Sequence, residues 1–572
     1  MAGSLFSIPS GSVNHNVGYV GLGYTKRSGL DHSQLDCMDR SFKILSLPMV
    51  FRLLAQAKSA LQLVPSIIGG NVDSAETRQA ESPGLSKGLK NRHMNLIAIG
   101  GVIGAGLFVG SGVVISSTGP AAIISFAIAG LITLLLMRML AEMAVARPVV
   151  GSFYVYARQA LGQRAGFATG WMYWYFFVIV VAIEAIAGGR IIQLWFPDIP
   201  LWILSLGLMV ILSATNMVSA RSFGEFEYWF SSIKVVAIVV FLSLGALWIT
   251  GIWPGSTPGI GNLFDHGGFT PLGWGAVLAA VVPCVAFYTG AEIVTIAAAE
   301  SEDPERSVRR AMRSIVARIV TFYVGSIFVV VCIQRWDAES VGISPYAAVL
   351  DVMGIPAVAV IMNGIVLTAV LSCLNSALYT TSRMLFALTR NGDAPKFFTK
   401  LSKGGVPRRA ILLGTTVGYV SVVCVYLWGE VVFTFLVNSY GAVALFVYLV
   451  IAISQVVLRK RLDRDDPAAL KLKMWLFPWL SYATIALMLT VIAAMAILPT
   501  TQSQFLMSGL TLIVILLGYE MRRRYGSRPE SEPTEPTQAE VAPGAAQPNP
   551  KDAEKPENID AEPDKDAVII RR

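Results

Sequence analysis

Lys234 stands inside the run "WFSSIKVVAIVVFLSLG" and is the only charge between Ile233 and Ile249. An ammonium at the middle of a membrane helix costs about 2.5–3.5 kcal/mol on insertion scales. Such a lysine either snorkels its head to the membrane surface or has a buried partner and a task. Two carboxylates raise the same question: Glu292 in "FYTGAEIVTIAAAE" and Glu184 in "VVAIEAIAGG". A desolvated carboxylate holds its proton more readily than one in water and can carry it. It can equally accept hydrogen bonds from backbone amides that a broken helix has freed. Glu292 ranks above Glu184 because it adjoins Pro283 and Thr289–Gly290, a weak point in the helix. Glu142, close in sequence to Arg138 and Arg147, is expected in a structural ion pair. Asn363, Asn375 and Asn438 are expected to bond between helices.

The stretch "IAIGGVIGAGLFVGSG" (97–112) poses a second question, since it holds six glycines in an otherwise apolar run. Glycines in a membrane helix serve close packing, and Gly100–Gly104 and Gly106–Gly110 have that spacing. They also permit unwinding, which lipid tolerates only where the backbone is buried in protein or lines a cavity. One such run does not decide between the two. The sixth apolar run, "AAVVPCVAFYTGAEIVTIAAAE", is a second weak point, with Gly290 lying 186 residues after Gly104 and five spans on. Transporters built from inverted repeats place an interrupted helix at the matching position of each half. Half-helix N-termini carry about +0.5 charge and free N–H groups, which suit a carboxylate. Unwound carbonyls suit a cation. Together they suit a zwitterion such as an amino acid.

These residues need a membrane to be positioned in. Of 572 residues, 54% are hydrophobic and 14% charged, against about 25% charged in soluble domains; mean hydropathy is +0.60. At about 20 apolar residues per crossing, twelve spans are expected: 96–114, 121–141, 165–189, 201–217, 230–250, 274–299, 312–333, 355–388, 409–428, 431–458, 475–497 and 503–520. The eighth is too long for one straight crossing, so it begins outside the bilayer or runs on past it. One set of loops is basic (Arg147, Arg158 and Arg164; Arg221; Arg306, Arg309, Arg310 and Arg313; Lys396 to Arg409; Arg459 to Arg464; Arg522 to Arg524). The other offers only Arg190 and Arg335. The positive-inside rule puts the basic loops and both termini in the cytoplasm.

Residues 1–90 are expected as a poorly ordered cytoplasmic extension with no assigned function. Its "SFKILSLPMVFRLLAQAKSALQLVPSIIGG" is either a surface-lying helix or sequence upstream of a later start. Residues 526–572, rich in Pro, Glu, Ala and Asp, read as a disordered cytoplasmic tail. Cys284, Cys332, Cys373 and Cys424 lie in apolar runs and Cys37 in the extension. None has metal-ligand spacing, and His15, His32, His93 and His266 fall outside the spans. No cofactor, metal or nucleic-acid partner is expected. Arg309, Arg310 and Arg313 of "ESEDPERSVRRAMRS" are placed to meet anionic headgroups. No nucleophile set or nucleotide loop marks an enzyme. A channel would need a continuous polar lining, whereas paired broken helices favour an occluded site. A channel gated by amino acids, or a sensor that binds them without moving them, remains the alternative of a different class.

Six ordered motifs, "IGGVIGAGLFVGSG", "MRMLAEMAVARPVVGSFYVYA", "AGFATGWMYWYFF", "FGEFEYWFSSIKVVAIV", "FYTGAEIVTIAAAESEDPERSV" and "LNSALYTTSRMLFALTRNGDAP", resemble the bacterial amino acid permeases of the amino acid–polyamine–organocation superfamily. The resemblance covers about residues 88–525. Within that family, "MRMLAEMAVA" and "TGAEIVTIAAAE" are most similar to the γ-aminobutyrate permeases. The resemblance implies an all-α integral membrane protein with a five-plus-five inverted repeat of leucine-transporter type. Helices 1 and 6 would be broken, within a transporter domain of 91–525. Its repeats would span about 96–250 and 274–458, followed by trailing helices at 475–520. It implies alternating access and import across the plasma membrane by proton symport. γ-Aminobutyrate is the expected substrate, with a neutral, aromatic or basic α-amino acid as the alternative. It implies substrate binding by Ile103, Gly104, Ala105, Gly106 and Leu107 of the first span and by Phe287, Tyr288, Thr289 and Gly290 of the sixth. The Phe287–Tyr288 pair would serve as a gate. It also implies that the Lys234 ammonium stands in for a sodium ion between spans one and eight, bonding carbonyls near Gly101 and a hydroxyl such as Ser372. Lys234, Ser372 and Glu292 are then the expected proton-coupling residues. Oligomeric state is not legible.

Overall fold

A computed structural model describes residues 103–104, 106–256, 259–297, 305–306, 308–310, 319–402 and 405–525. The N-terminal extension, Gly100, Gly101, Ala105, most of "ESEDPERSVRRAMRS" and the acidic tail lie outside the described residues. Those described form helices and no strand. A wide turn at Gly106–Gly110 leads into α1 (Ser111–Thr118), and a Gly119–Pro120 corner into α2 (Ala122–Ala146). Then come α3 (Phe153–Leu161), α4 (Gln163–Gln193), α5 (Leu201–Val218), α6 (Ala220–Ile249), α7 (Gly273–Phe287) and α8 (Ile293–Ala297). The second half holds α9 (Gly325–Ile333), α10 (Glu339–Ile343), α11 (Pro345–Val352), α12 (Val358–Arg390) and α13 (Arg408–Trp428). It closes with α14 (Glu430–Tyr440), α15 (Val443–Asp465), α16 (Trp479–Ile497) and α17 (Pro499–Tyr525). Among the described residues, nine helical stretches have the length and hydropathy to cross a membrane, and Gly273–Phe287 and Ile319–Ile333 are shorter apolar helices.

The longest helices, α4 and α12, pack along each other, with α6 against α12 and α7 against α2. The eighth expected span is the single helix α12. Its 33 residues make about 50 Å, so it outruns a hydrocarbon core of about 30 Å.

Three sequence expectations change. The fifth span begins at Ala220 rather than near 230, capped by the Ser219 hydroxyl accepting from the Ser222 amide at 3.0 Å. Lys234 therefore sits near the middle of α6. The tenth span is not one rod: α14 and α15 part at Gly441–Ala442, where the Ala442 N–H donates to Ser508 Oγ of α17 at 3.1 Å. A side-chain hydroxyl thus replaces the missing helical acceptor, and Gly441 gives Gln504 room to approach. Finally, α3, α10 and α11 lie in what read as loops. α3 is short and amphipathic, burying Phe153, Tyr154, Tyr156 and Ala157, a pattern a search for 20-residue apolar runs passes over.

Candidate functional site

Two stretches of non-helical backbone meet at the site, one at Ile103–Gly104 and one between α7 and α8. In the first, Ile103 and Gly104 are non-helical, and the Leu107 N–H reaches only to Gly104 O at 3.2 Å before the wide turn begins. In the second, α7 carries Pro283, which lacks an N–H to continue the ladder. The helix ends as Tyr288 and Thr289 N–H close back on Val285 O and Ala286 O, both at 3.2 Å. Gly290 then turns at φ 110°, a conformation only glycine adopts without strain, and α8 restarts at Ile293. Both breaks leave backbone groups off the helical ladder, where only a protein-lined interior tolerates them.

The breaks touch through Phe287. A Cβ built on Gly106 would lie 2.5 Å from Phe287 Cδ1, and one on Gly110 would lie 2.7 Å from Phe287 Cζ. These two glycines therefore serve close packing, their bare faces forming the groove for the ring. On the other side of the chain, a Cβ on Gly104 would meet Cys373 Sγ of α12 at 3.1 Å. Gly106→Ala and Gly110→Ala are expected to displace Phe287 and lower uptake about tenfold or more, as misplaced binding groups do. Gly364→Ala, where a Cβ meets nothing within 4 Å, is expected to leave uptake as it was. Initial-rate uptake normalised to protein in the membrane checks both.

Phe287 and Tyr288 have different surroundings. Tyr288 is fully buried, donates its hydroxyl to Phe126 O at 3.0 Å, and packs its ring 4.2 Å from that of Tyr323. Tyr323 in turn donates to Phe287 O at 2.9 Å. Tyr288 thus braces the break from behind, and only Phe287 faces the first-span stretch.

Glu292 is fully buried beside Gly290. It accepts from Tyr173 OH of α4 at 2.9 Å, from Tyr448 OH of α15 at 2.7 Å, and from the Gly290 N–H at 3.1 and 3.3 Å. Both carboxylate oxygens are engaged, so the side chain joins the break to two neighbouring helices. Neither tyrosine stood out in sequence, because aromatic residues are common throughout the spans.

Lys234 is fully buried, so its head does not snorkel. Its Nζ donates to Ile103 O at 2.8 Å and to Ser372 Oγ at 2.8 Å. The ammonium thus joins α6, the first break and α12. Ser372 Oγ donates onward to Glu227 Oε1 at 2.6 Å. Glu227, fully buried on α6, also accepts from Ser231 Oγ at 2.9 Å and from Asn375 Nδ2 at 3.5 Å. Asn375 Oδ1 accepts from Asn216 Nδ2 of α5 at 2.9 Å. Sequence reasoning missed Glu227 because it fell before the expected start of span five. The signal was there: Phe223, Glu227, Ser231 and Lys234 recur at helical spacing along one face.

A family profile described as amino acid permease matches residues 93–530. The chain belongs to the amino acid permease family. Its relatives include the gamma-aminobutyric acid permease of Bacillus subtilis, 52% identical over 80% of this chain and 99% of the relative. That of Escherichia coli K12 is 45% identical over 77% and 95%. The aromatic amino acid transport protein of Corynebacterium glutamicum is 40% identical over 72% and 90%. The family and these relatives are transporters, so the chain is a multi-pass membrane transporter and not an enzyme.

The permease buries other carboxylates away from the two breaks. Glu142 is in an ion pair, but not with Arg138 or Arg147. It meets Arg459 Nη1 at 2.6 Å and Gln455 Nε2 at 2.7 Å, both on α15, and accepts from the Met474 amide. Arg138 instead donates to Lys473 O at 2.6 Å and covers the Trp475 ring. Glu184 on α4 has one oxygen, Oε2, buried and without a hydrogen-bond partner among the described residues. Among the described residues, no three His, Cys, Asp or Glu side chains gather as metal ligands do.

Proposed function

We propose that this permease imports γ-aminobutyrate across the plasma membrane by proton symport and alternating access. What carries this reading is the likeness to gamma-aminobutyric acid permeases at 52% and 45% identity over most of the chain. The two stretches of non-helical backbone support it, since amides and carbonyls off the helical ladder match the two ends of a zwitterion. The substrate carboxylate would meet amides of the Gly104–Gly106 turn. Its ammonium would meet carbonyls of Ile103 to Leu107 and of Phe287 to Gly290, with Phe287 closing over it. Glu292 would act chiefly by holding the second break in shape.

Twelve crossings, two inverted repeats and cytoplasmic termini follow from the same reading. It is supported by the spacing of the breaks and by the one-sided distribution of basic loops. The lipid bilayer is then the partner of the outer helix faces. Lys234 would couple the proton, because its bond to Ile103 O ties its charge state to the position of the first break.

Competition against labelled γ-aminobutyrate tests the substrate. Unlabelled γ-aminobutyrate is expected to suppress uptake more strongly than any common α-amino acid. Stronger suppression by an aromatic, neutral or basic one would reassign the site. Counterflow of labelled substrate separates a carrier from a sensor, and the lack of unitary conductance separates it from a channel.

A further inference from the structure

We infer that Glu227 is the proton acceptor for Lys234, reached through the Ser372 hydroxyl, and that this three-residue wire delivers the symported proton toward the cytoplasm. The inference rests on the proton-symport reading above and names the route.

Donor counting sets the direction. A lysine ammonium only donates and an ionised carboxylate only accepts. Ser372 lies between them, 2.8 Å from Nζ and 2.6 Å from Glu227 Oε1. Its single O–H must therefore point to Glu227, and its lone pair must receive Lys234. One shift along these two bonds balances. An Nζ–H bond breaks as a new Oγ–H bond forms, the former Oγ–H breaks, and an Oε1–H bond forms. Neutral lysine and neutral carboxylic acid remain, with the serine unchanged.

Position makes the shift vectorial. Glu227 precedes Lys234 by seven residues on α6, about 10 Å along the axis, toward the end that begins at Ala220 and carries Arg221 in its first turn. On the far side of Glu227 from Lys234, the Phe223 and Tyr379 rings stack at 4.0 Å and 11°, and Arg383 covers Tyr379 at 4.0 Å. Both rings are buried, so on this route a proton leaving Glu227 has to pass them.

The surroundings supply the switch. Lys234 faces Ile103 O from the first break and Ser372 from α12, and its charge also reaches Glu184 of α4. Glu227 faces Ser231 on its own helix, Ser372 and Asn375 on α12, and, beyond the ring stack, Arg383. Ile103 O favours the ionic form by accepting from the ammonium. When the first break moves and that carbonyl departs, the balance tips and the proton passes to Glu227.

The test uses the full chain in proteoliposomes without sodium. For Glu227→Gln and Ser372→Ala, γ-aminobutyrate accumulation under an imposed pH gradient is compared with counterflow exchange, which needs no net proton movement. Both variants are expected to lower the ratio of gradient-driven accumulation to counterflow at least about tenfold, the scale of losing a positioned proton carrier. If Glu227→Gln does not fold, Ser372→Ala decides, since it keeps both ionisable groups and breaks only the wire. A wild-type ratio in Ser372→Ala, or in a folded Glu227→Gln, would overturn the relay. If those ratios are wild-type while Lys234→Ala loses coupling, the relay fails and proton symport stands. If wild-type uptake ignores the pH gradient, the symport reading itself fails.

Discussion

Lys234→Ala is expected to abolish concentrative uptake: under an imposed pH gradient, with sodium absent, substrate equilibrates and does not accumulate. The ammonium is in direct contact with both the first break and α12, through Ile103 O and Ser372 Oγ at 2.8 Å each. Burying such a charge costs more than an ordinary packing residue would, so the site retains it at the expense of stability. Alanine removes the ammonium and leaves a carbonyl and a carboxylate-bonded serine without that donor. On the proton-symport reading, the two open states would then no longer be biased by the proton gradient. Uptake into proteoliposomes checks this. Accumulation like that of the wild type would end any coupling role for Lys234.

Arg459→Ala is expected to be the most destabilising single change outside the breaks, by about 3 kcal/mol, the lower part of the range for removing one partner of a buried pair. Glu142 is almost fully buried and depends on Arg459 for its counter-charge, with Gln455 and the Met474 amide completing its acceptors. These contacts fasten α2 to α15 and to the chain leading into α16. Loss of the guanidinium would leave a carboxylate enclosed without a compensating charge. Arg464→Ala, whose pairing with Asp465 is open to water, is expected to leave stability nearly unchanged, as exposed pairs contribute little. Glu142→Gln combined with Arg459→Met should recover part of the loss. Thermal unfolding of the detergent-solubilised protein, read alongside fluorescence-detected size exclusion, checks the series. Equal midpoints for Arg459→Ala and Arg464→Ala would show the pair to be dispensable.

Much of the architecture was legible before folding, because lipid imposes a simple grammar. Long apolar runs must be helices, since no other open structure satisfies its own backbone there. The weak points at Gly104 and Gly290 announced themselves by residue type, and Lys234 by the cost of its charge. What the linear chain concealed were groups whose meaning depends on neighbours far away in sequence. Glu227 reads as an ordinary acidic residue near a helix start until α12 brings Ser372 and Asn375 over it. Glu142 lies among nearby arginines but pairs with one 317 residues on. Nothing near Tyr288 in sequence names Phe126 O as the acceptor of its hydroxyl, 162 residues away.

The division has one physical cause. Solvent preference and backbone capacity are properties of a residue and its immediate neighbours, so the amino-acid order alone determined the long apolar runs, the uneven distribution of basic residues between them and the weak points at Gly104 and Gly290. Hydrogen-bond and ion-pair partners are chosen by packing between helices. Only the tertiary structure decided that Lys234 meets Ile103 and Ser372, and that Glu227 waits beyond them.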